Sequence, residues 1–213
     1  MYRIEQVAPQ PQTSHRDRIL QLLAERGMAR LTEIKAAGAT SASVARLERE
    51  GTIVRLSRGL YQLPDAPIGA HHVLAEASKL VPRGVVCLTS ALAFHDLTDR
   101  IPAKVWMAIT RATRASRNTQ PPMRFVRFSP RRVSDGVSIH TIEGVDVPVT
   151  DPAHTIVDMF RYRNVVGQPL AIEGLKEGLR TGRASPAELA RIATEERAWT
   201  VMRPYLEALV HDG

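Results

Sequence analysis

Residues Thr40 to Gly59, TSASVARLEREGTIVRLSRG, change their period part-way along and carry arginines on both sides of the change. The first half has a helical period. Thr40 or Ser41 can cap its start, because a short side-chain oxygen accepts from the free amides of the first turn. Gly51 can close its end in a left-handed cap. Val44 and Leu47, three apart, mark the buried stripe, and Ala42, Ala45, Arg46 and Arg49 fall on the opposite side. After Gly51 the period drops to that of a strand: in IVRLSRGLYQL, Val54 and Leu56 face inward and Arg55 outward, with Tyr61 and Leu63 inward on the return. Ser57-Arg58-Gly59 reads as a three-residue hairpin loop with Gly59 at positive φ and Arg58 at the tip.

A helix of this kind leading into a basic hairpin is the layout of a recognition helix and wing. Small residues let a helix enter the major groove closely, and arginine pairs bidentately with guanine. An arginine at a wing tip reaches a phosphate or the minor groove. On its own, the outer face of this helix reads as an ordinary solvated one; the flanking elements decide. His15 to Arg26 is an amphipathic helix with Ile19, Leu22 and Leu23 inward. Thr32 is placed to cap a short second helix, TEIKAA, with Ile34 inward, and Gly38 makes the tight turn into the third helix. Three helices and a basic hairpin predict a winged helix-turn-helix over residues 14–65, used for DNA or, alternatively, as a protein-docking module. The candidate DNA-binding residues are Ser41, Ser43, Arg46, Arg49, Arg55 and Arg58.

The chain has 213 residues, which allows one or two domains. Two prolines and a glycine in Leu63–Gly69 end the wing hairpin and mark a linker. Residues 70–213 then form a second domain. Its pattern starts with a helix, HHVLAEASKLV, and a buried strand, VVCL. Ser90 is placed to cap a helix, ALAFHDL, before strands at 105–110 and 123–128. A hairpin, 137–142 with 145–150, turns at Glu143-Gly144, and Pro148 puts its second strand at an edge. Asp151 caps the helix PAHTIVDMFRY, and helices at 169–180, 186–196 and about 198–210 follow, the middle one opened by Ser185-Pro186-Ala187-Glu188. Short strands followed by a run of helices predict an α+β fold with a small sheet and C-terminal helices.

The formal charge is +7 and is unevenly spread. From Arg100 to Arg132 there are nine basic residues and no acidic one, which suits a polyanionic partner or a merely solvated face. Arg111, Arg114, Arg117, Arg124 and Arg127 are the candidate basic patch. Cys87, the only cysteine, excludes an internal disulfide, fits a reducing cytoplasm and sits in an apolar run as packing. No apolar run reaches the roughly 18 to 20 residues of a membrane span. The first residues, MYRIEQVAPQPQTS, read as a disordered lead without a signal core. No zinc-finger, Walker or Rossmann pattern is present.

The chain also resembles AbiEi-type antitoxins of type IV (AbiE) toxin–antitoxin systems. The resemblance runs through LSRGLYQLP (56–64), VCLTSALAFHDLT (86–98), VWMAIT (105–110), MRFVRFS (123–129) and IHTIEGVDVPVTDPAHTIVDMFRYR (139–163), in that order, and covers about 15–209. It implies an N-terminal domain that binds double-stranded DNA at its own promoter and represses its own operon. It implies a C-terminal domain needed to neutralise a nucleotidyltransferase-like toxin, in a family described as acting without a stable complex. DNA contact would fall to Arg46, Arg49, Arg55 and Arg58, and no catalytic residue, cofactor or metal is carried over. The alternative is a winged-helix regulator of other genes whose second domain senses a ligand or partner.

Two clusters raise the question of catalysis: His95 with Asp96 and Asp99, and Asp151, His154 and Asp158 at three- and four-residue spacing. Each has an ordinary role. Asp151 caps a helix, His154 and Asp158 are an i, i+4 pair, and His95 sits near a helix end. The expectation is a DNA-binding protein that is not an enzyme.

Overall fold

The computed structural model describes residues 14–114 and 119–211. The chain divides into two units, Met1–Ala66 and Pro67–Gly213. The expected disordered lead lies outside the described residues up to position 13.

The first unit is a winged helix. Its order is α1 (His15–Arg26), β1 (Met28–Arg30), α2 (Leu31–Ala36), α3 (Ser41–Arg49), β2 (Val54–Ser57) and β3 (Leu60–Gln62). Ser14 opens α1 through a reciprocal bond with Asp17. Ile19 and Leu23 of α1, Ile34 of α2, and Val44 and Leu47 of α3 close the core, each essentially without solvent contact. Burying one such side chain is worth about 1.5–3 kcal/mol. Leu22 packs at its margin.

Both helices of the turn end alike. After α2, Gly38 at φ +86 lets the Ala39 N–H reach the Ile34 carbonyl; after α3, Gly51 at φ +69 lets the Thr52 N–H reach that of Leu47. The cap of α2 differs from the sequence expectation. The helix begins at Leu31, one residue before Thr32, and the Glu33 carboxylate accepts the Arg30 N–H at 2.7 Å.

The sheet has one strand more than the hairpin that the sequence predicts. Its order is β1-β3-β2, with β1 antiparallel to β3. Three residues, MAR, carry no alternation long enough to read as a strand, so only pairing with β3 defines it. The hairpin loop is the two residues Arg58-Gly59, because Ser57 still pairs with Leu60 across a bulge after Arg55. That shift leaves Val54 and Leu56 half-buried and makes Ile53 the core residue of this arm. The Gly59 carbonyl accepts the Leu31 N–H at 2.8 Å, tying the wing to α2.

The second unit is a mixed sheet between helices. Its strands are β4 (Val85–Val86), β5 (Val105–Ile109), β6 (Met123–Arg127), β7 (Val137–Ile142) and β8 (Val145–Thr150), in the order β6-β5-β4-β8-β7. The pairs β5–β6 and β4–β8 are parallel, and β4–β5 and β7–β8 antiparallel. All of β5 is buried, since both faces are covered. α4 (His72–Leu80) packs on β4, β5 and β8. Trp106 and Ala108 instead join a core with α5 (Leu88–Phe94), α6 (Pro152–Arg161), α8 (Gln168–Arg180), α9 (Pro186–Glu195) and α10 (Trp199–His211). A short α7 (Arg163–Val166) links α6 to α8.

Two local expectations change. Pro148 is not on an edge strand: β8 lies inside β7, and Pro148 opposes Ile139. The two-residue β4 meets β8 only at Val149, so Pro148 lies beyond that ladder and its missing N–H is tolerated. Ser90 does not cap α5, which starts two residues earlier; its hydroxyl accepts the Trp106 N–H at 2.9 Å. Burial pushes the Cys87 thiol well above its ordinary pKa, as suits packing and not a nucleophile.

Candidate nucleic-acid interface

The exposed side of α3 is built from the stripe read in the sequence. Ser41, Ala42, Ala45, Arg46 and Arg49 are exposed, while Val44 and Leu47 hold the helix to the core. Thr40 caps the helix by accepting the Ser43 N–H at 3.1 Å. Ser43 faces less outward than its companions. Its hydroxyl lies 2.9 Å from Thr40 Oγ1 and 3.2 Å from His15 Nδ1, which fastens α3 to α1.

The two arginines of α3 differ in electrostatic setting. Glu50 Oε1 lies 3.7 Å from Arg46 Nε, and its other oxygen lies 3.3 Å from Arg16 Nη1. Both pairs are solvent-exposed and each is worth well under about 1 kcal/mol. Arg49 has no carboxylate partner among the described residues, and neither has Arg58 at the hairpin tip. Arg55 donates from Nε to the Ser57 carbonyl at 3.2 Å and braces the bulge. The role of Glu50 was not read from the sequence, although its i+4 spacing from Arg46 was the signal for it.

The basic window of the second unit is less uniform than its sequence. Arg132 is buried and joins Asp158 at 2.5 Å and Glu196 at 3.3 Å. Arg131 pairs with Asp135 at 2.7 Å, and Arg100 with Glu173 at 3.5 Å. Arg127 donates to the carbonyls of Thr110 and Thr113 and holds the loop after β5. Arg124 lies over the Trp106 ring, 4.4 Å from its centroid. Arg111 and Arg114 are exposed; Arg117 lies outside the described residues. Asp135 lies only four residues from Arg131, just beyond the end of the basic run, whereas sequence distance hid Asp158, Glu173 and Glu196.

The two candidate catalytic clusters do not assemble. His154 bonds to Asp151 through Nδ1 at 2.9 Å, not to Asp158 as its i+4 spacing suggested. Burial raises the Asp151 carboxyl, and the bonds from His154 outweigh it and hold the pKa below its ordinary value. Asp158 turns inward to Arg132, and burial pushes its pKa up to about 6 against the pull of that guanidinium. His95 donates from Nε2 to the Thr150 carbonyl at 2.7 Å, and burial lowers its pKa. Asp96, at φ +56, closes α5. Among the described residues, no group of three or more His, Cys, Asp or Glu is placed to hold a metal ion. No helix of the described residues is long and apolar enough to cross a membrane.

Comparison with known proteins gives this geometry a context. No curated protein matches the chain. The crystal structure of the RV2827C protein from Mycobacterium tuberculosis is similar in fold, with a TM-score of 0.61 and 15% identity, over 92% of this chain and 77% of that one. Residues 17–64 match the family described as "Transcriptional regulator, AbiEi antitoxin". Residues 84–208 match the "AbiEi antitoxin C-terminal domain". Neither is a family of enzymes. The winged helix and the α+β unit are thus the two parts of one design, and the chain belongs to the AbiEi antitoxin family, as a DNA-binding transcriptional regulator and antitoxin.

Proposed function

We propose that this protein neutralises a nucleotidyltransferase-like toxin of a type IV (AbiE) system and represses its own operon from the cytoplasm. Residues 14–65 bind the operon's promoter as double-stranded DNA, and residues 70–213 neutralise the toxin; no cofactor takes part and the protein acts by binding, not catalysis. Arg46 and Arg49 read base edges, with Ser41 and Ser43 at the start of the same helix, while Arg55 and Arg58 hold the backbone. The observation that carries the reading is the exposed face of α3: two arginines among alanines, beside a basic wing tip, in the segment matched as a transcriptional regulator. Arg111, Arg114 and Arg124 add positive charge outside that segment.

The test is growth rescue. The adjacent open reading frame is induced with and without this protein, and growth is followed, while promoter binding is measured by mobility shift. A toxic neighbour, restored growth and a shifted promoter are expected. A harmless neighbour, or no rescue, refutes the antitoxin reading; an unshifted promoter refutes self-repression.

A further inference from the structure

Helix α1 carries three arginines, and each meets a different partner. Arg18 donates to the Gly38 carbonyl at 3.4 Å, in the turn between α2 and α3. Arg26, at the far end of the helix, lies 3.6 Å from Glu33 of α2. Arg16 shares its partner with the recognition helix: one oxygen of Glu50 lies 3.3 Å from Arg16 Nη1 and the other 3.7 Å from Arg46 Nε. His15, beside it, reaches the Ser43 hydroxyl. Ser43, Arg46 and Glu50 follow one another at spacings of three and four residues, so they form one stripe along α3 and its C-cap. The first turn of α1 therefore runs along this flank of α3, and Arg16 stands beside the face given to DNA.

A carboxylate held between two guanidiniums marks a seat for an anion. The three side chains sum to one positive charge, and all are exposed: 47% for Arg16, 56% for Arg46 and 44% for Glu50. Exposed pairs of this kind are weak and screened by salt, so Glu50 yields the seat to a stronger anion at small cost. A DNA phosphate is such an anion, because it offers a guanidinium charge-assisted acceptors in the same fork geometry as a carboxylate. The neighbouring acid of α1, Asp17, is turned to its own helix start, where it accepts from the Ser14 N–H at 3.3 Å and hydroxyl at 2.7 Å. Glu50 approaches Arg46 through Nε, which leaves both terminal amino groups of Arg46 for a base edge.

We propose that Arg16 is a further DNA contact of this protein: it holds a backbone phosphate at the flank of α3, in the place that Glu50 fills in the free protein. The inference rests on the promoter-binding reading above and adds to it a residue outside the recognition helix and the wing. Phosphate contacts fix register and orientation and carry no sequence information of their own. Arg16 thus supplies a hold on the backbone from α1, while Arg46 and Arg49 meet the bases. Glu50 is a positioning residue: it orients both guanidiniums before DNA arrives and gives way when the phosphate does.

The test is binding of the full-length protein, across ionic strength, to the promoter duplex and to a scrambled duplex of equal length. Arg16→Ala, Arg16→Lys, Glu50→Gln and the double variant Arg16→Ala with Glu50→Gln are compared with the parent. Arg26→Ala, at the other end of α1, is the control, and thermal midpoints check that each variant is folded. Arg16→Ala should weaken both duplexes alike, by about tenfold, and lower the salt slope by about one unit. Arg16→Lys should keep the slope of the parent, and Arg26→Ala should change neither slope nor affinity. The double variant separates contact from shielding. Relative to Glu50→Gln alone, its slope falls by the same unit if Arg16 holds a phosphate, and does not fall if Arg16 only neutralises Glu50. An unchanged slope in Arg16→Ala, or a loss absent from the double variant, overturns the inference and leaves the promoter reading standing. If the parent binds neither duplex, the promoter reading fails and takes this inference with it.

Discussion

Gly136 and Gly182 make a controlled pair within the second unit. Their φ values are +64 and +66, so an alanine at either meets nearly the same backbone cost. A left-handed residue with a Cβ costs about 1–2 kcal/mol, offset by a few tenths to one through the less flexible unfolded chain. The surroundings differ. Nothing lies within 4 Å of a Cβ at Gly182, but a Cβ at Gly136 would sit 2.1 Å from His154 Nδ1 and 2.3 Å from Cγ. The ring must leave, and with it goes the 2.9 Å bond to Asp151, the residue that caps α6. Overpacking adds about 1–3 kcal/mol, and the lost hydrogen bond about 0.5–1.5. Gly136→Ala is therefore expected to cost about 3–5 kcal/mol and Gly182→Ala about 1. Both tryptophans, Trp106 and Trp199, lie in this unit, so urea unfolding followed by tryptophan fluorescence reads it without contribution from the winged helix. His154→Ala should partly rescue Gly136→Ala, with a coupling of about 2 kcal/mol. Equal losses for the two glycine variants, or a coupling near zero, would refute the steric argument.

Other expectations bear on function and pH. Arg49→Ala should weaken promoter binding by about 1–3 kcal/mol and relax sequence preference, read by titrating matched and mismatched sites. Arg58→Ala should weaken all sequences alike and lower the salt slope by about one unit, measured by binding across ionic strength. Glu50→Gln releases Arg46 and Arg16 and should tighten binding by about twofold at low salt, the worth of an exposed pair. Two buried groups pull stability in opposite directions with pH. His95, its pKa depressed by burial, binds fewer protons folded than unfolded, so its contribution is full above about 6.5 and is lost as pH falls below that. Asp158, raised to about 6, contributes stability below its ordinary range that is lost as pH rises toward 6. In His95→Gln only the second effect remains, so its stability relative to the parent should increase as pH falls from 6.5, by urea unfolding at each pH.

The winged helix was legible because its information is local. The Thr40 cap, the glycines after α2 and α3 and the 3.6-residue stripe of α3 are satisfied within a few residues of themselves. The exposed arginines followed from the same stripe, since a helix that buries Val44 and Leu47 has no other way to point Arg46 and Arg49. Strand β1 escaped because three residues have no period; only the hydrogen bonds from β3 make them a strand.

Charge was the property that composition described worst. A run from Arg100 to Arg132 without a single acid reads as one basic surface. Folding brings Asp158 and Glu196 to Arg132, and spends Arg127 on two carbonyls, so the uncompensated part shrinks to Lys104, Arg111, Arg114 and Arg124 among the described residues. His154 shows the same limit at short range: helical spacing allowed a pair with Asp158, but the helix turns Asp158 into the core and leaves His154 with its cap. Local hydrogen bonds and periodicity are written in the order of residues, whereas which charges meet and which strand is an edge depend on elements far apart in the chain, and only packing sets them.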